Sequence, residues 1–220
     1  MRTKDDPRLV PLLTPAEVAR LVDMPQPTVY SWMRRSANRD AVMHVPGAYR
    51  RGWPSISLVG LAEAHTARGL RKMHVSMQKI SLFAEYLRKV TGDEYALATP
   101  TLVTDGIDVF FEGDDELVRL LDGQRAAKQV VEPYLSELVP WADDLTGAYR
   151  PPALRSDLVE IDPRFNSGRM SFRRNRVPLF AVMGSLAAGE PLAEVTAGYG
   201  LTADEVALVD IHKEWLSQAA

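Results

Sequence analysis

Between Gln26 and Arg35 the chain concentrates side chains that bond to oxygen-rich partners: Gln26, Thr28, Ser31, Arg34 and Arg35, with Tyr30 at their edge. Amide, hydroxyl and guanidinium groups are the donors and acceptors that meet phosphate oxygens and base edges in a duplex groove. Arg50 and Arg51 add two adjacent cations farther along, suited to the backbone of the same partner. The competing reading of each group is a solvated face without a partner, so the elements that carry these residues decide between the two.

Catalytic chemistry finds little support. The sequence has no Gly-rich phosphate loop, no Gly-x-Ser-x-Gly and no histidine paired with a nucleophile. Cysteine is absent, which removes a disulfide framework, a thiolate zinc site and a cysteine nucleophile together. His44, His65 and His74 do not stand at a two-histidine metal spacing. A non-enzymatic binding protein with neither metal nor cofactor is expected.

The chain is 46% hydrophobic and 25% charged, values of a folded chain rather than a disordered one. No stretch approaches the ~18 apolar residues of a spanning helix, and Met1 to Pro11 has no apolar signal core, so a cytoplasmic protein without a membrane partner is expected. The formal net charge of −3 is an average over segments of opposite sign. Residues 1–91 hold 15 Lys and Arg against 7 Asp and Glu, a net +8. Residues 92–150 hold 4 against 13, a net −9, and residues 151–220 hold 7 against 9, a net −2. The basic head is the footprint of a phosphate-binding surface.

Local signals place the candidate residues on helices. Thr14-Pro15 with Glu17 predicts a capped helix start, and Val18, Leu21 and Val22 form its apolar face up to Asp23-Met24-Pro25. Pro27 opens a second helix in which Val29, Trp32 and Met33 pack back on the first, leaving the face of Thr28, Ser31, Arg34 and Arg35 polar. In the acidic middle, Tyr95 to Thr99 and Ile107 to Glu112 read as strands around a Thr104-Asp105-Gly106 turn. A helix is predicted over 124–139, its apolar stripe being core or a dimer surface, and Pro140 to Pro152 reads as a linker. Beyond it, Leu158 to Ile161 and Arg169 to Phe172 form a hairpin. Helices over 177–188, 191–197 and 202–215 follow, the last with a Thr202/Glu205 capping box.

The local signals give a mainly α fold with short β-hairpins: an N-terminal helix-turn-helix and a C-terminal three-helix bundle preceded by a β-hairpin. Three segments are expected. Residues 1–91 form the DNA-binding domain, 92–150 an acidic hairpin-helix connector with a dimerisation role, and 151–220 the helical domain.

The string from Ala19 to Trp32, with Ala19, Val22, Met24, Thr28, Val29 and Trp32, resembles the helix-turn-helix of MerR-type regulators. Asp23 stands where that family usually has glycine. Tyr49-Arg50-Arg51, Ser57-Leu58, Leu61, Arg68-Gly69 and Ser76 to Ile80 resemble the wing and following helices of the same family, a resemblance that makes the head a winged helix-turn-helix. The resemblance implies DNA contacts from Gln26, Thr28, Tyr30, Ser31, Arg34 and Arg35, and backbone contacts from Arg50 and Arg51.

The tail pattern Ile161-Asp162-Pro163, Gly168-Arg169, Arg176-Val177, Gly189, Glu194, Tyr199-Gly200-Leu201 and Glu205-Val206 resembles a small domain of VapB-type antitoxins, with Arg173-Arg174-Asn175 in place of the more usual Gly-Thr step. This resemblance implies an antitoxin that neutralises a PIN-type ribonuclease toxin and, as a complex with it, represses its own operon. A homodimer on operator DNA is expected because helix-turn-helix proteins often bind paired half-sites as two-fold dimers. It also makes Arg169, Arg173, Arg174 and Arg176 the candidates for blocking the acidic nuclease site. The alternative is a MerR-like regulator that answers a small molecule and has no toxin partner.

Overall fold

The computed structural model describes residues 6–34, 41–46, 50–101, 103, 135, 138–140 and 145–219. The chain divides into two compact units, Met1–Tyr149 and Arg150–Ala220. Among the described residues it is mainly helical, with two pairs of short antiparallel strands.

Local chemistry starts each helix of the first unit. In α1 (Pro15–Leu21), the Thr14 hydroxyl accepts from the Glu17 amide, while the Glu17 carboxylate accepts from the Thr14 amide, which is the capping box read from the sequence. The turn that follows requires a left-handed residue, and Asp23 supplies it at φ 51°. Helix α2 (Gln26–Met33) starts with Pro27 in its first turn, and Val29 and Trp32 are fully buried. Ser57 and Ser76 cap α3 (Leu58–Lys72) and α4 (Met77–Thr91), and Gly92 ends α4 at φ 68°. Between α2 and α3 the chain returns beside α1, where Leu13 and Ile56 form an isolated antiparallel bridge.

Helix α3 is the centre of this unit, with 13 of its 15 residues buried, so its polar side chains must find partners inside the protein. The Thr66 hydroxyl donates to the Leu97 carbonyl at 2.8 Å, and His65 Nδ1 lies 3.1 Å from the Tyr149 hydroxyl. Tyr149 in turn donates to the Leu21 carbonyl at 3.3 Å, which ties α1, α3 and the end of the unit together. At the first turn, a Cβ on Gly60 would collide with the His44 carbonyl oxygen, so glycine lets the chain segment lie against the helix.

Glu63, fully buried on α3, accepts from the His44 amide and pairs with Arg88 of α4 at 3.3 Å. The Arg88 guanidinium also donates to the carbonyls of Ala41 and Val42 at 3.1 and 3.2 Å, fixing the segment that follows α2.

Several middle-segment readings change. Tyr95 to Thr99 was expected extended, yet Ala96–Ala98 is a 3₁₀ turn whose Leu97 carbonyl serves Thr66 of α3. Ile107 to Glu112 and the turn before it lie outside the described residues, as does most of the 124–139 helix. Its last residues belong instead to β1 (Leu138–Pro140), which pairs antiparallel with β2 (Thr146–Tyr149). The stretch expected as a linker thus contains a wholly buried strand.

The second unit has its own core around Leu154, Val159, Phe172, Leu179, Val182, Val195, Leu208 and Leu216. Strand β3 (Val159–Glu160) pairs antiparallel with β4 (Ser171–Phe172), as the sequence pattern required. Helices α5 (Leu179–Ala187), α6 (Leu192–Tyr199) and α7 (Ala203–Ile211) follow, α7 starting with the Thr202/Glu205 capping box. The last predicted helix bends at His212 and resumes as α8 (Lys213–Ala219), which packs on α5 and brings Leu216 into the core.

Burial raises the Glu63 carboxyl to about 7, against the Arg88 charge and the His44 amide, which lower it. The folded value lies above the unfolded one, so the stability contributed by this group is complete below the ordinary carboxylate range and is lost as pH rises through about 7. Between about pH 5 and about pH 8, urea unfolding of Glu63→Gln beside wild type is therefore expected to shift by roughly 2–3 kcal/mol in favour of the variant. A difference that stays constant with pH would place the titration elsewhere.

Candidate functional site

One face of α2 carries the residues singled out for groove contact. Gln26 is exposed, and Thr28, Tyr30 and Ser31 are half-buried, whereas Val29 and Trp32 on the opposite side enter the core. The helix is locked there by Trp32, whose indole Nε1 donates to the Met77 sulfur of α4 at 3.0 Å. Gln26 Nε2 approaches the Tyr30 hydroxyl at 3.5 Å one turn on, and the Ser31 hydroxyl donates to the Thr28 carbonyl at 2.7 Å. Arg34 is exposed but sits beyond the last turn of α2, in extended backbone at φ −94°, ψ 131°. The 3.6-residue spacing had placed it on the helix face; the helix stops one residue earlier. Arg35 lies outside the described residues.

The turn between the two helices is braced from α3. Arg68 Nη2 lies 3.5 Å from an Asp23 carboxylate oxygen, with the arginine side chain nearly buried and the carboxylate largely in solvent. The two helices of the motif are thereby tied to the scaffold by a core tryptophan and by an ion pair at the turn. Arg50 and Arg51 are both exposed on a tight turn before α3; Tyr49 lies outside the described residues.

The arginines of the second unit divide into two kinds. Arg176 Nη1 meets the buried Glu160 carboxylate at 2.6 Å, and Arg173 Nε reaches the other Glu160 oxygen at 3.4 Å while also pairing with Asp157 at 3.2 Å. Arg174 pairs with the buried Glu205 at 2.9 Å and donates to the Gly200 carbonyl. Burial works to raise the Glu205 carboxyl, but the Arg174 hydrogen bonds and the Thr202 amide outweigh it and hold the group below its ordinary value. Arg169 has no carboxylate partner among the described residues, and its guanidinium lies over the exposed Phe180 ring, 5.2 Å from the centroid. The backbone beside them is specialised: Asn166, Ser167, Gly168 and Arg176 all have positive φ, and the Asn166 amide bridges the Ser171 hydroxyl and the Arg176 carbonyl. Asn175 donates to the Tyr199 carbonyl at 3.1 Å, so the Arg173-Arg174-Asn175 step is a structural clasp on α6 and α7.

Two of the three histidines that lack metal spacing have structural partners, and His74 is exposed. His65 serves Tyr149, and His44 packs edge-on against Tyr95 with ring centroids 4.9 Å apart.

The first unit carries a helix-turn-helix, and a small helical unit with its own core follows it. Residues 11–82 match a family described as "Putative DNA-binding HTH domain", and residues 159–209 match "Protein of unknown function (DUF433)". Over nearly the whole length, the chain is 34% identical to "Putative antitoxin VapB45" of Mycobacterium tuberculosis (strain ATCC 25618 / H37Rv), covering 90% of this chain and 91% of the relative. The crystal structure of Rv2018 from Mycobacterium tuberculosis superposes with a TM-score of 0.75 at 28% identity, covering 90% of this chain and 96% of that one. The chain belongs to the family of VapB45. Among the described residues no helix is long and apolar enough to cross a membrane.

The two kinds of arginine separate in a stability test. Arg176→Ala leaves the buried Glu160 carboxylate short of its nearest donor and is expected to destabilise the second unit by about 1–3 kcal/mol. Arg169→Ala is expected to stay within about 0.5 kcal/mol. Thermal unfolding followed by circular dichroism checks both, and equal losses would contradict the division.

Proposed function

We propose that the chain is the antitoxin of a toxin–antitoxin pair: a non-enzymatic protein that binds operator DNA through its head and neutralises a PIN-type ribonuclease through its tail. The observation that carries this reading is the 34% identity to the protein named "Putative antitoxin VapB45", extending over nine-tenths of both chains and so across both units. The exposed polar face of α2, with Gln26, Thr28, Tyr30, Ser31, Arg34 and Arg35, is the groove-reading surface in this proposal, and Arg50 and Arg51 hold the DNA backbone. A two-fold dimer would read paired half-sites spaced by roughly 34 Å or a multiple of it, which provides for repression of its own operon.

For the toxin, the region of Arg169, Arg173, Arg174 and Arg176 is the contact surface. Arg169 stands foremost, since the other three guanidiniums already neutralise carboxylates of their own unit. An arginine without such a partner is available for charge-assisted hydrogen bonds to an acidic active site.

Co-expression with the product of the adjacent gene tests the proposal. The full chain is expected to co-purify with it and suppress its RNA cleavage. Residues 150–220, which carry a core of their own, are expected to retain that suppression. A head fragment must extend through Tyr149 to keep the His65 and Leu21 contacts, and it is expected to bind operator DNA while leaving the nuclease active. Suppression by a folded head fragment as strong as that of the full chain would assign the tail the wrong role.

A further inference from the structure

The turn that carries Arg50 and Arg51 also carries a large apolar side chain. Trp53 is 56% exposed, although an indole is among the groups with most to gain from burial. It is not loose: the Trp53 amide donates to the Arg50 carbonyl at 3.1 Å, closing a turn in which Gly52 has φ 78°. This brings the Arg50 guanidinium over the indole, 4.3 Å from the ring centroid. A cation over an indole face is attracted by the ring quadrupole, so the pair holds a planar donor group in a defined orientation. Arg50 and Trp53 are both exposed, and residues 41–57 contain no aspartate or glutamate. Arg50, Arg51 and Trp53 thus form a cationic, aromatic tip within residues 1–91, the part of the chain with the net +8.

We infer that the Arg50–Trp53 stack is a DNA-contacting element, in which the indole packs against deoxyribose and orients Arg50 toward a phosphate. The occupant is duplex DNA because the tip combines cations with an apolar plate, and neither arginine pairs with a carboxylate among the described residues, which matches alternating phosphate and sugar along a strand. Trp53 makes backbone rather than base contact, so it contributes affinity without sequence preference. The inference rests on the reading of the head as a DNA binder.

Titration of the full chain against its own promoter duplex and against an unrelated duplex of equal length, over a range of salt, tests it. Trp53→Ala is expected to weaken binding about tenfold on both duplexes, leaving their affinity ratio unchanged. Trp53→Phe is expected to recover part of the loss. Arg50→Ala is expected to lower the salt slope by about 0.9, the share of one phosphate contact. Combining Arg50→Ala with Trp53→Ala is expected to cost less than the product of the single effects, because the indole acts partly through the arginine. Wild-type binding with Trp53→Ala within about twofold of it would overturn the inference and leave the DNA-binding reading intact. So would a loss of affinity accompanied by a change of oligomeric state in sedimentation, since Trp53 would then be a contact between copies. Failure of the wild-type chain to bind either duplex at low salt would overturn the DNA-binding reading itself.

Discussion

Helix α3 is buried along almost its entire surface, and the first unit is organised by the need to pair the polar groups that this burial strands. Each pairing reaches a different segment: Thr66 holds the 3₁₀ turn at Leu97, His65 holds Tyr149, Glu63 holds the His44 amide and Arg88, and Arg68 reaches Asp23. An unpaired polar group in such surroundings costs about 1–3 kcal/mol, more for a charge, so these contacts specify where surrounding segments must lie. The helix-turn-helix inherits its position from them. Its turn is tethered by Arg68, its second helix by Trp32 against Met77, and the segment beyond by Arg88 on the carbonyls of Ala41 and Val42. The outward face of α2 remains polar, with Gln26 exposed and Thr28, Tyr30 and Ser31 half-buried.

The second unit solves the same problem with arginines reaching inward from its surface. Glu160 and Glu205 are buried at 6% and 1% exposure, and without cations they would be uncompensated. Arg173 and Arg176 serve the first and Arg174 the second. What the sequence presents as one basic cluster is therefore divided by the fold into structural cations and Arg169. The proposed toxin contact follows from that division and from the exposed Phe180 beneath Arg169.

Features governed by neighbouring residues were legible in the sequence. Both capping boxes, the buried face of Val18, Val29 and Trp32, and the β3–β4 hairpin depend on contacts within a few residues, where local rules operate. Features set at long range were not. The prolines and aspartates of 140–152 read as a linker, because the Tyr149 hydroxyl finds its partners at Leu21 and His65, far away in sequence. Tyr95 to Thr99 has strand-like composition, yet the carbonyl required by Thr66 is presented by a 3₁₀ turn. The inward pairing of Arg173, Arg174 and Arg176 required knowing that Glu160 and Glu205 are buried beside them. On α2 the helical period was extended past Met33, where Arg34 already has extended backbone. Trp53 carried a signal, an indole two residues from a pair of arginines beside a glycine, that the reading of the wing as cations alone passed over.

Two units with separate cores carry the two proposed contact surfaces, and DNA and toxin are proposed to bind together. The most direct measurement is sedimentation velocity of the full chain mixed with its promoter duplex and the product of the adjacent gene, with RNA cleavage assayed in the recovered peak. The account predicts one species containing all three components, with the nuclease inactive in it. Mutually exclusive complexes, or a three-component species in which the nuclease still cleaves RNA, would contradict it.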